Sequence, residues 1–127
     1  WINIGSKTSS DKLPKIFYVN WFRKTADGKW LWPGYGENSR VLKWVFERCS
    51  GDGKAVETEI GYMPTVDAID CTGLEGVSEQ DMKELLTVDR KGWLAEIDLI
   101  KQHYANFGDH LPSELKAELE ALEKRLK

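Results

Sequence analysis

The chain has 127 residues, of which 41% are hydrophobic, and a formal net charge of −3. This length and composition predict a single domain, residues 1–127, with a hydrophobic core of its own. No run of about 18 apolar residues occurs, and residues 1–7 lack the charged and apolar regions of a signal peptide, so we expect a soluble, cytoplasmic protein.

Positive charge is concentrated in the first part of the chain. Residues 1–48 carry nine Lys or Arg against four Asp or Glu, whereas residues 49–127 carry nine against seventeen. Nine of the fourteen aromatic residues lie between Phe17 and Phe46, so basic and aromatic side chains share one region. This favours an anionic ligand there, although the same charge also fits a contact with the acidic remainder of the chain.

The sequence offers no evident metal site. Cys49 and Cys71 have neither metal-ligand nor redox-pair spacing, and reduced thiols are the expectation for a cytosolic protein. His103 and His110 have no ligand partners near them in the sequence. We therefore expect this chain to bind no metal ion.

The first elements predicted are an arm and a β-hairpin. Residues 1–14 mix Gly, Ser and Lys and end in a proline, which predicts a flexible arm. Ile16–Arg23 is rich in β-branched and aromatic residues and predicts a strand. Asp27-Gly28 suits a positive-φ turn, and Trp30–Trp32 predicts a short second strand that Pro33 ends.

A helix is predicted from Arg40 to Arg48, with Asn38 or Ser39 as its N-cap. Two apolar stripes run along it, so we expect most of its surface to be buried. Ser50–Glu59 reads as a polar loop, and Ile60–Met63 as a short strand stopped by a proline.

The last third predicts three helices. Ser78 followed by Asp81 is a helix-start signature. Trp93, Ile97, Ile100 and Tyr104 have the spacing of an amphipathic helix that continues to about Ala105, and a final helix after Pro112 repeats that spacing in its leucines. Two ion pairs are predicted on that helix, Glu120–Lys124 and Glu123–Lys127. The fold class is therefore α+β and helix-dominant, with a short N-terminal β-hairpin or sheet edge followed by about four helices.

The stretch W-L-W-P-G-Y-G-E-N, Trp30–Asn38, is the candidate binding segment because aromatic rings stand on a glycine-rich loop. Such rings can stack on a planar base or sugar, and the Asn38 carboxamide with backbone amides can bind its polar edge. The competing interpretation is that the rings pack in the domain interior. Glu37 could act as a general base, although a surface charge favoured by the helix dipole explains it as well.

No catalytic set is evident. The sequence has no G-x-x-x-x-G-K-[ST] phosphate loop, no G-x-S-x-G elbow and no plausible Cys-His arrangement. We therefore predict no catalytic residue in this chain.

The run V-N-W-F-R-K from Val19, the turn D-G-K, and W-L-W-P-G-Y-G-E-N-S-R-V-L-K-W from Trp30 to Trp44 resemble the C-terminal region of GTP-dependent phosphoenolpyruvate carboxykinase. Weaker similarity continues through I-G-Y-M-P from Ile60, L-L-T-V-D from Leu85 and the terminal helix. The resemblance implies that the chain is the C-terminal, guanine-nucleotide-binding fragment of a longer enzyme.

The resemblance also implies a set of site residues. The family commonly surrounds guanine with three phenylalanines, and their positions here hold Phe22, Trp30 and Tyr35, so two of the three depart from the usual residue. The family's G-E-N is intact as Gly36, Glu37 and Asn38 and is expected to bind the guanine edge.

Family enzymes convert oxaloacetate and GTP into phosphoenolpyruvate, GDP and carbon dioxide, a gluconeogenic reaction that uses Mn²⁺ and Mg²⁺. The resemblance implies that the catalytic and metal-binding residues lie elsewhere in a longer enzyme, which is expected to be a cytoplasmic monomer without nucleic-acid or membrane partners. We predict that the fragment alone is inactive and binds GTP weakly. The alternative is a self-contained aromatic module that binds a sugar or a protein partner, and a purely structural role for the loop fits either.

Overall fold

The computed structural model describes residues 1–127, which form two compact units. One consists of Pro14–Thr87, and the other combines Trp1–Leu13 with Val88–Lys127. The elements, in chain order, are α1 Ile2–Gly5, α2 Asn38–Ser50, β1 Ala55–Thr58, β2 Gly61–Pro64, α3 Glu79–Leu85, α4 Arg90–Ala105 and α5 Ser113–Leu126. The predicted helix-dominant α+β class is confirmed, with one two-stranded sheet and four helices longer than a single turn.

The predicted strand over Ile16–Arg23 is wrong, because this segment has no partner strand. The Asn20 side-chain oxygen accepts a hydrogen bond from the backbone N–H of Phe22 at 2.9 Å. Such a side-chain turn bends the chain and competes with extended structure. Strand propensity without a neighbouring strand therefore gave an irregular segment.

The turn predicted at Asp27-Gly28 is confirmed. The N–H of Thr25 donates to the Lys29 carbonyl at 2.9 Å, and Gly28 has a φ of 86°. The two sides of this turn meet only at one antiparallel bridge, between Lys24 and Trp30. Trp30–Trp32 is thus not a strand, and the predicted hairpin consists only of the turn and this single bridge.

The sheet lies farther along the chain. β1 and β2 are antiparallel and pair Ala55 with Pro64 and Thr58 with Gly61. The strand predicted at Ile60–Met63 is confirmed one residue later as β2. The prediction of a polar loop over Ser50–Glu59 is wrong for Ala55–Thr58, which forms β1. The prediction failed because this strand has only four residues, two of them exposed, and lacks an alternation of apolar and polar residues.

Helix α2 begins earlier than predicted and buries less. A 3₁₀ turn over Tyr35–Glu37 leads directly into it, and no side chain caps its start, so the N-cap prediction is wrong. Gly51 ends it with a φ of 94°. Trp44 is its one buried residue, whereas Leu42 and Phe46 are exposed, so the prediction of a mostly buried helix is also wrong.

The core of the Pro14–Thr87 unit, which we call the tryptophan core, is built from residues far apart in the sequence. It consists of Trp32, Trp44, Ile69 and Met82. The Trp44 indole N–H donates to the Lys54 carbonyl at 2.8 Å, and Phe17 meets the Trp44 ring edge-on at 5.9 Å. Trp32 is buried, which confirms for this ring the interpretation that the aromatic residues of the loop pack in the domain interior.

Helix α3 begins as predicted. Ser78 is its N-cap and forms a reciprocal capping box with Asp81, in which each side chain binds the other residue's backbone N–H. Met82, one turn into the helix, is buried in the tryptophan core. The cap therefore fixes where this helix enters the core.

The second unit is dominated by α4 and α5. Their core contains Ile97, Leu119 and Leu126, with Trp93, Leu94, Ile100, Tyr104 and Leu122 packed around it. The amphipathic helix predicted from the spacing between Trp93 and Tyr104 is confirmed as α4, which ends at Ala105. Of the two predicted ion pairs, Glu123–Lys127 is present at 2.7 Å, whereas Glu120 and Lys124 form none; Glu123 also binds Lys101 at 2.6 Å.

The first fourteen residues contain more order than an arm requires. Ile2–Gly5 forms the single turn of α1, and Ser10–Lys12 forms a 3₁₀ turn. The flexibility of this segment stays a prediction.

Candidate functional site

Two of the three predicted stacking rings lie together on the surface. The centroids of Phe22 and Trp30 are 6.0 Å apart, with an interplanar angle of 66°. Phe22 is 74% exposed and Trp30 is 49% exposed. Offset and edge-on aromatic pairs of this kind are favourable, and this one leaves much ring surface uncovered, so it can accept a further planar group.

A cation lies against the same pair. The Lys24 ammonium is 4.0 Å from the centroid of the Trp30 ring, a cation–π contact that is favourable even at an exposed site. The turn from Thr25 to Lys29 holds this arrangement, and the Thr25 hydroxyl donates to the Asp27 carboxylate, which lowers the Asp27 pKa. The surface therefore combines rings with local positive charge.

Arg23 fixes the position of the ring pair. Its Nη1 donates to the carbonyls of Leu85 and Thr87, each at 3.0 Å. These carbonyls lie at and just beyond the end of α3, where backbone acceptors lack helical partners and a cation is favoured. Because Arg23 directly follows Phe22, this contact ties the ring-bearing segment to a helix 62 residues away.

Tyr35 stands apart from the other two rings. It is 94% exposed, and no aromatic ring pairs with it. Gly34, just before it, has a φ of 108° and a ψ of −154°, a region essentially restricted to glycine. The structure thus brings Phe22 and Trp30 together but not Tyr35.

Asn38 is held by a buried tryptophan. The Trp32 indole N–H donates to the Asn38 Oδ1 at 2.9 Å, while Asn38 itself is half-buried at the start of α2. Asn38 does not cap the helix, because its backbone is already helical, with a φ of −61° and a ψ of −26°, whereas an N-cap residue has non-helical dihedrals. The role of Trp32 is not evident from the sequence, because the indole and the amide meet across a turn that only the fold defines.

Glu37 is an ion-pair partner. Its carboxylate accepts from the Arg40 Nε at 2.5 Å, and the Arg40 Nη1 donates to the Asp70 carbonyl at 2.7 Å. The hydrogen bond to Glu37 raises the pKa of Arg40. The i, i+3 spacing was the available signal for this pair, and it favours the surface-charge interpretation of Glu37 over the general base.

The backbone donors of the G-E-N segment are partly used. The N–H of Glu37 donates to the Gly34 carbonyl at 3.1 Å, and that of Asn38 to the Tyr35 carbonyl. The N–H of Gly36 has no partner in the protein and lies in an exposed residue. A ligand edge at this loop would therefore meet the Gly36 amide and the amino group of Asn38.

Three further observations concern pockets, metal ligands and membrane-spanning helices. A depression of about 440 Å³ lies in the second unit and is lined by Lys101, Tyr104, Asp109 and Lys116, among others, but by none of the predicted site residues. No three His, Cys, Asp or Glu side chains cluster as metal ligands would. No helix is long and apolar enough to cross a bilayer.

Residues 1–125 match a family model described as the phosphoenolpyruvate carboxykinase C-terminal P-loop domain. The chain is 55% identical over 127 residues to the phosphoenolpyruvate carboxykinase [GTP] of Treponema pallidum (strain Nichols), covering 99% of this chain and 20% of the relative. It is 56% identical over 128 residues to that of Neocallimastix frontalis, covering 100% and 21%. It is 46% identical over 126 residues to that of Thermoplasma volcanium, covering 99% and 20%.

The chain thus spans about a fifth of the length of these curated relatives. It contains no G-x-x-x-x-G-K-[ST] sequence, so a phosphate loop of that pattern does not lie within residues 1–127. The whole-chain similarity does not support the alternative of a self-contained sugar-binding or protein-binding module.

Proposed function

Because the chain belongs to the GTP-dependent phosphoenolpyruvate carboxykinase family, we propose that it supplies the guanine-binding surface of an enzyme that converts oxaloacetate and GTP into phosphoenolpyruvate, GDP and carbon dioxide. The residues proposed to form this surface are Phe22, Trp30, Tyr35, Gly36, Glu37 and Asn38. The observation that carries this assignment is the ring pair of Phe22 and Trp30, which remains uncovered at the surface.

Stacking supplies attraction for the base. A nucleic-acid base stacked on an aromatic side chain gains about 1–3 kcal/mol by alanine substitution. Phe22 and Trp30 provide the exposed ring surface, and Lys24 adds positive charge near an anionic nucleotide. Tyr35 has no ring neighbour, so the proposal requires it to close over the base when the nucleotide binds.

The polar edge supplies discrimination. Guanine presents a carbonyl acceptor at position 6 and donors at its ring and exocyclic nitrogens. The Gly36 N–H and the Asn38 amino group are donors without protein partners, so they are available to the carbonyl. A base without a carbonyl at position 6 would leave these two protein donors unpaired and would therefore bind less favourably than guanine. Glu37 contributes by holding Arg40, which anchors this loop to Asp70.

The remaining machinery is assigned to the rest of the enzyme. No three His, Cys, Asp or Glu side chains cluster here as ligands of the family's Mn²⁺ and Mg²⁺ would, and no G-x-x-x-x-G-K-[ST] phosphate loop occurs within residues 1–127. The proposal therefore gives this chain no catalytic residue. Unpaired Cys49 and Cys71 are compatible with a cytoplasmic enzyme, and the net charge of −3 gives no support for a nucleic-acid partner. We propose a monomer by analogy with the family alone.

The proposal is tested in the full-length polypeptide that carries this chain. Phe22→Ala and Trp30→Ala are expected to raise the KM for GTP about 5- to 150-fold, which corresponds to the stacking energy, with the KM for oxaloacetate unchanged. Tyr18→Ala is the matched control, because Tyr18 is an exposed ring of the same segment outside the ring pair. An equal effect of Tyr18→Ala, or an unchanged KM for GTP in the other variants, contradicts the proposal.

The isolated 127-residue chain gives a second test. We expect it to form no phosphoenolpyruvate and to bind GTP weakly, because stacking and edge contacts must offset an association cost of about 4–15 kcal/mol without phosphate contacts. Fluorescence titration with GTP and ATP measures the binding. Phosphoenolpyruvate formation by the isolated chain contradicts the assignment of catalysis to the rest of the enzyme.

A further inference from the structure

The hydrogen bond between Trp32 and Asn38 fixes which end of the Asn38 carboxamide faces inward. Trp32 is only 6% exposed and belongs to the tryptophan core. An indole N–H can donate but never accept, so the atom that faces it at 2.9 Å must be the carboxamide oxygen. The buried indole therefore determines the orientation of the amide.

The other end of the carboxamide is directed to solvent. The Asn38 amino group has no hydrogen-bond partner in the protein, and no buried side-chain nitrogen or oxygen lacks a partner. The Nδ2 atom must therefore be accessible. Its two N–H groups form an outward-facing donor at the start of α2, three residues after Tyr35 and next to the Glu37–Arg40 pair.

The opposite orientation of the amide is disfavoured. It would place an amino group against the indole N–H and leave that buried donor without an acceptor. The cost of the unsatisfied donor favours the observed orientation over the opposite one by about 5- to 150-fold. Without the indole N–H, the two orientations would be much closer in energy. The outward face of Asn38 could then present either an acceptor or a donor.

We propose that Trp32 is a positioning residue that holds Asn38 as an outward donor and so selects purines with a carbonyl at position 6. This inference rests on the proposed function, because it concerns the same base-binding surface. Guanine and hypoxanthine carry the carbonyl and accept from the Asn38 amino group. Adenine carries an amino group there, which places donor against donor.

The inference predicts an effect confined to one position of the base. GTP and ITP share the 6-carbonyl and differ only in the 2-amino group, whereas ATP differs at position 6. Loss of the Trp32 N–H should therefore change the preference for GTP over ATP and leave the preference for GTP over ITP unchanged. A merely structural role for Trp32 would weaken all three nucleotides together.

The experiment measures kcat/KM for GTP, ITP and ATP in the full-length polypeptide. Trp32→Phe keeps an aromatic ring in the tryptophan core but removes the donor, and we expect its GTP/ATP ratio to fall at least about fivefold. Trp44→Phe is the matched control. Trp44 is buried in the same core, and its N–H donates to the Lys54 carbonyl and not to Asn38, so the GTP/ATP ratio should stay that of the wild type.

Two further measurements strengthen the test. In an Asn38→Ala background, Trp32→Phe should no longer change the GTP/ATP ratio, because both residues act through one contact. If Trp32→Phe does not fold, 3-benzothienylalanine at position 32, which replaces the N–H by sulfur with almost the same shape, carries the same prediction.

The outcomes separate the two proposals. A wild-type enzyme without a preference for GTP over ATP overturns the proposed function. A wild-type enzyme that prefers GTP, combined with a Trp32→Phe variant that keeps the full GTP/ATP ratio, overturns the role of Trp32 alone. An equal loss of the ratio in Trp44→Phe also overturns it.

Discussion

The tryptophan core and the core between α4 and α5 are built in different ways. The first gathers Trp32, Trp44, Ile69 and Met82 from loops and helices spread over 51 positions, whereas the second stacks residues that recur at helical spacing. In the first, each indole N–H also has a defined acceptor, at Asn38 or at Lys54. Directional bonds hold irregular segments in place, while a repeated apolar face suffices for two helices.

The two regions also differ in the apolar side chains that they leave exposed. The Pro14–Thr87 unit leaves Tyr18, Phe22, Phe46 and Tyr62 exposed, while the exposed large apolar residues of α4 and α5 are Leu99 and Leu115. Rings that packing does not bury can contact a ligand or another surface. The irregular region is therefore where binding is expected.

The largest expected effect comes from removing a ring of the tryptophan core. Trp44→Ala should lower the free energy of unfolding by about 3–5 kcal/mol, because the cavity, the contact with Phe17 and the bond to Lys54 are lost together. Urea unfolding, combined with amide hydrogen exchange in α2, measures the loss. Trp30→Ala is the control, since Trp30 is half-exposed, and should cost less than about 1 kcal/mol; equal losses would contradict the assignment of this core.

The helical core should respond somewhat less. Ile97→Ala removes the most buried residue of α4 and should cost about 2–5 kcal/mol, because the packed helices can close only part of the cavity. The same unfolding measurement, with hydrogen exchange read in α4, applies. Leu99→Ala on the exposed side of this helix should change stability by less than about 0.5 kcal/mol, and a comparable loss there would mean that the buried face is wrongly assigned.

Helix capping distinguishes the two helix starts of the Pro14–Thr87 unit. Ser78→Ala removes the capping box of α3 and should cost about 1 kcal/mol. Ser39→Ala, at the start of α2 where no side-chain cap exists, should change stability by less than about 0.5 kcal/mol. Denaturant midpoints of the two variants give the comparison, which fails if Ser39→Ala is the more damaging substitution.

The smallest effect concerns the acid stability of α4 and α5. Lys101 and Lys127 lower the pKa of Glu123 from 4.5 to about 2. A lowered carboxyl pKa stabilises the fold above the unfolded value, and this stabilisation is lost as pH falls from about 4.5 toward about 2. Glu123→Gln should therefore flatten the pH dependence of the unfolding midpoint in that range.

The matched control for that prediction is Glu118→Gln, on the exposed side of the same helix and without an ion-pair partner. It should keep the wild-type pH dependence. A Glu123→Gln variant whose midpoint still falls with acid as steeply as the wild type would show that the lysine contacts do not contribute.

The sequence predicted much of the regular structure. The spacing from Trp93 to Tyr104 gave α4 with its end at Ala105, and Ser78 gave the start of α3, because both signals lie within a single helix. It also gave the turn at Gly28, where positive φ favours glycine. It failed at Ile16–Arg23, because strand propensity does not supply a partner strand.

The sequence by itself determined helices α2 to α5, the cap of α3, the family and the aromatic residues of the loop Trp30–Asn38, since each depends on neighbouring residues or on a continuous motif. Tertiary structure alone decided that Phe22 meets Trp30 while Tyr35 does not, and that Asn38 faces Trp32. It also decided that Arg23 reaches carbonyls 62 and 64 residues away. Such contacts depend on directional bonds between distant segments, whose separation in space is set by packing and not by any local pattern.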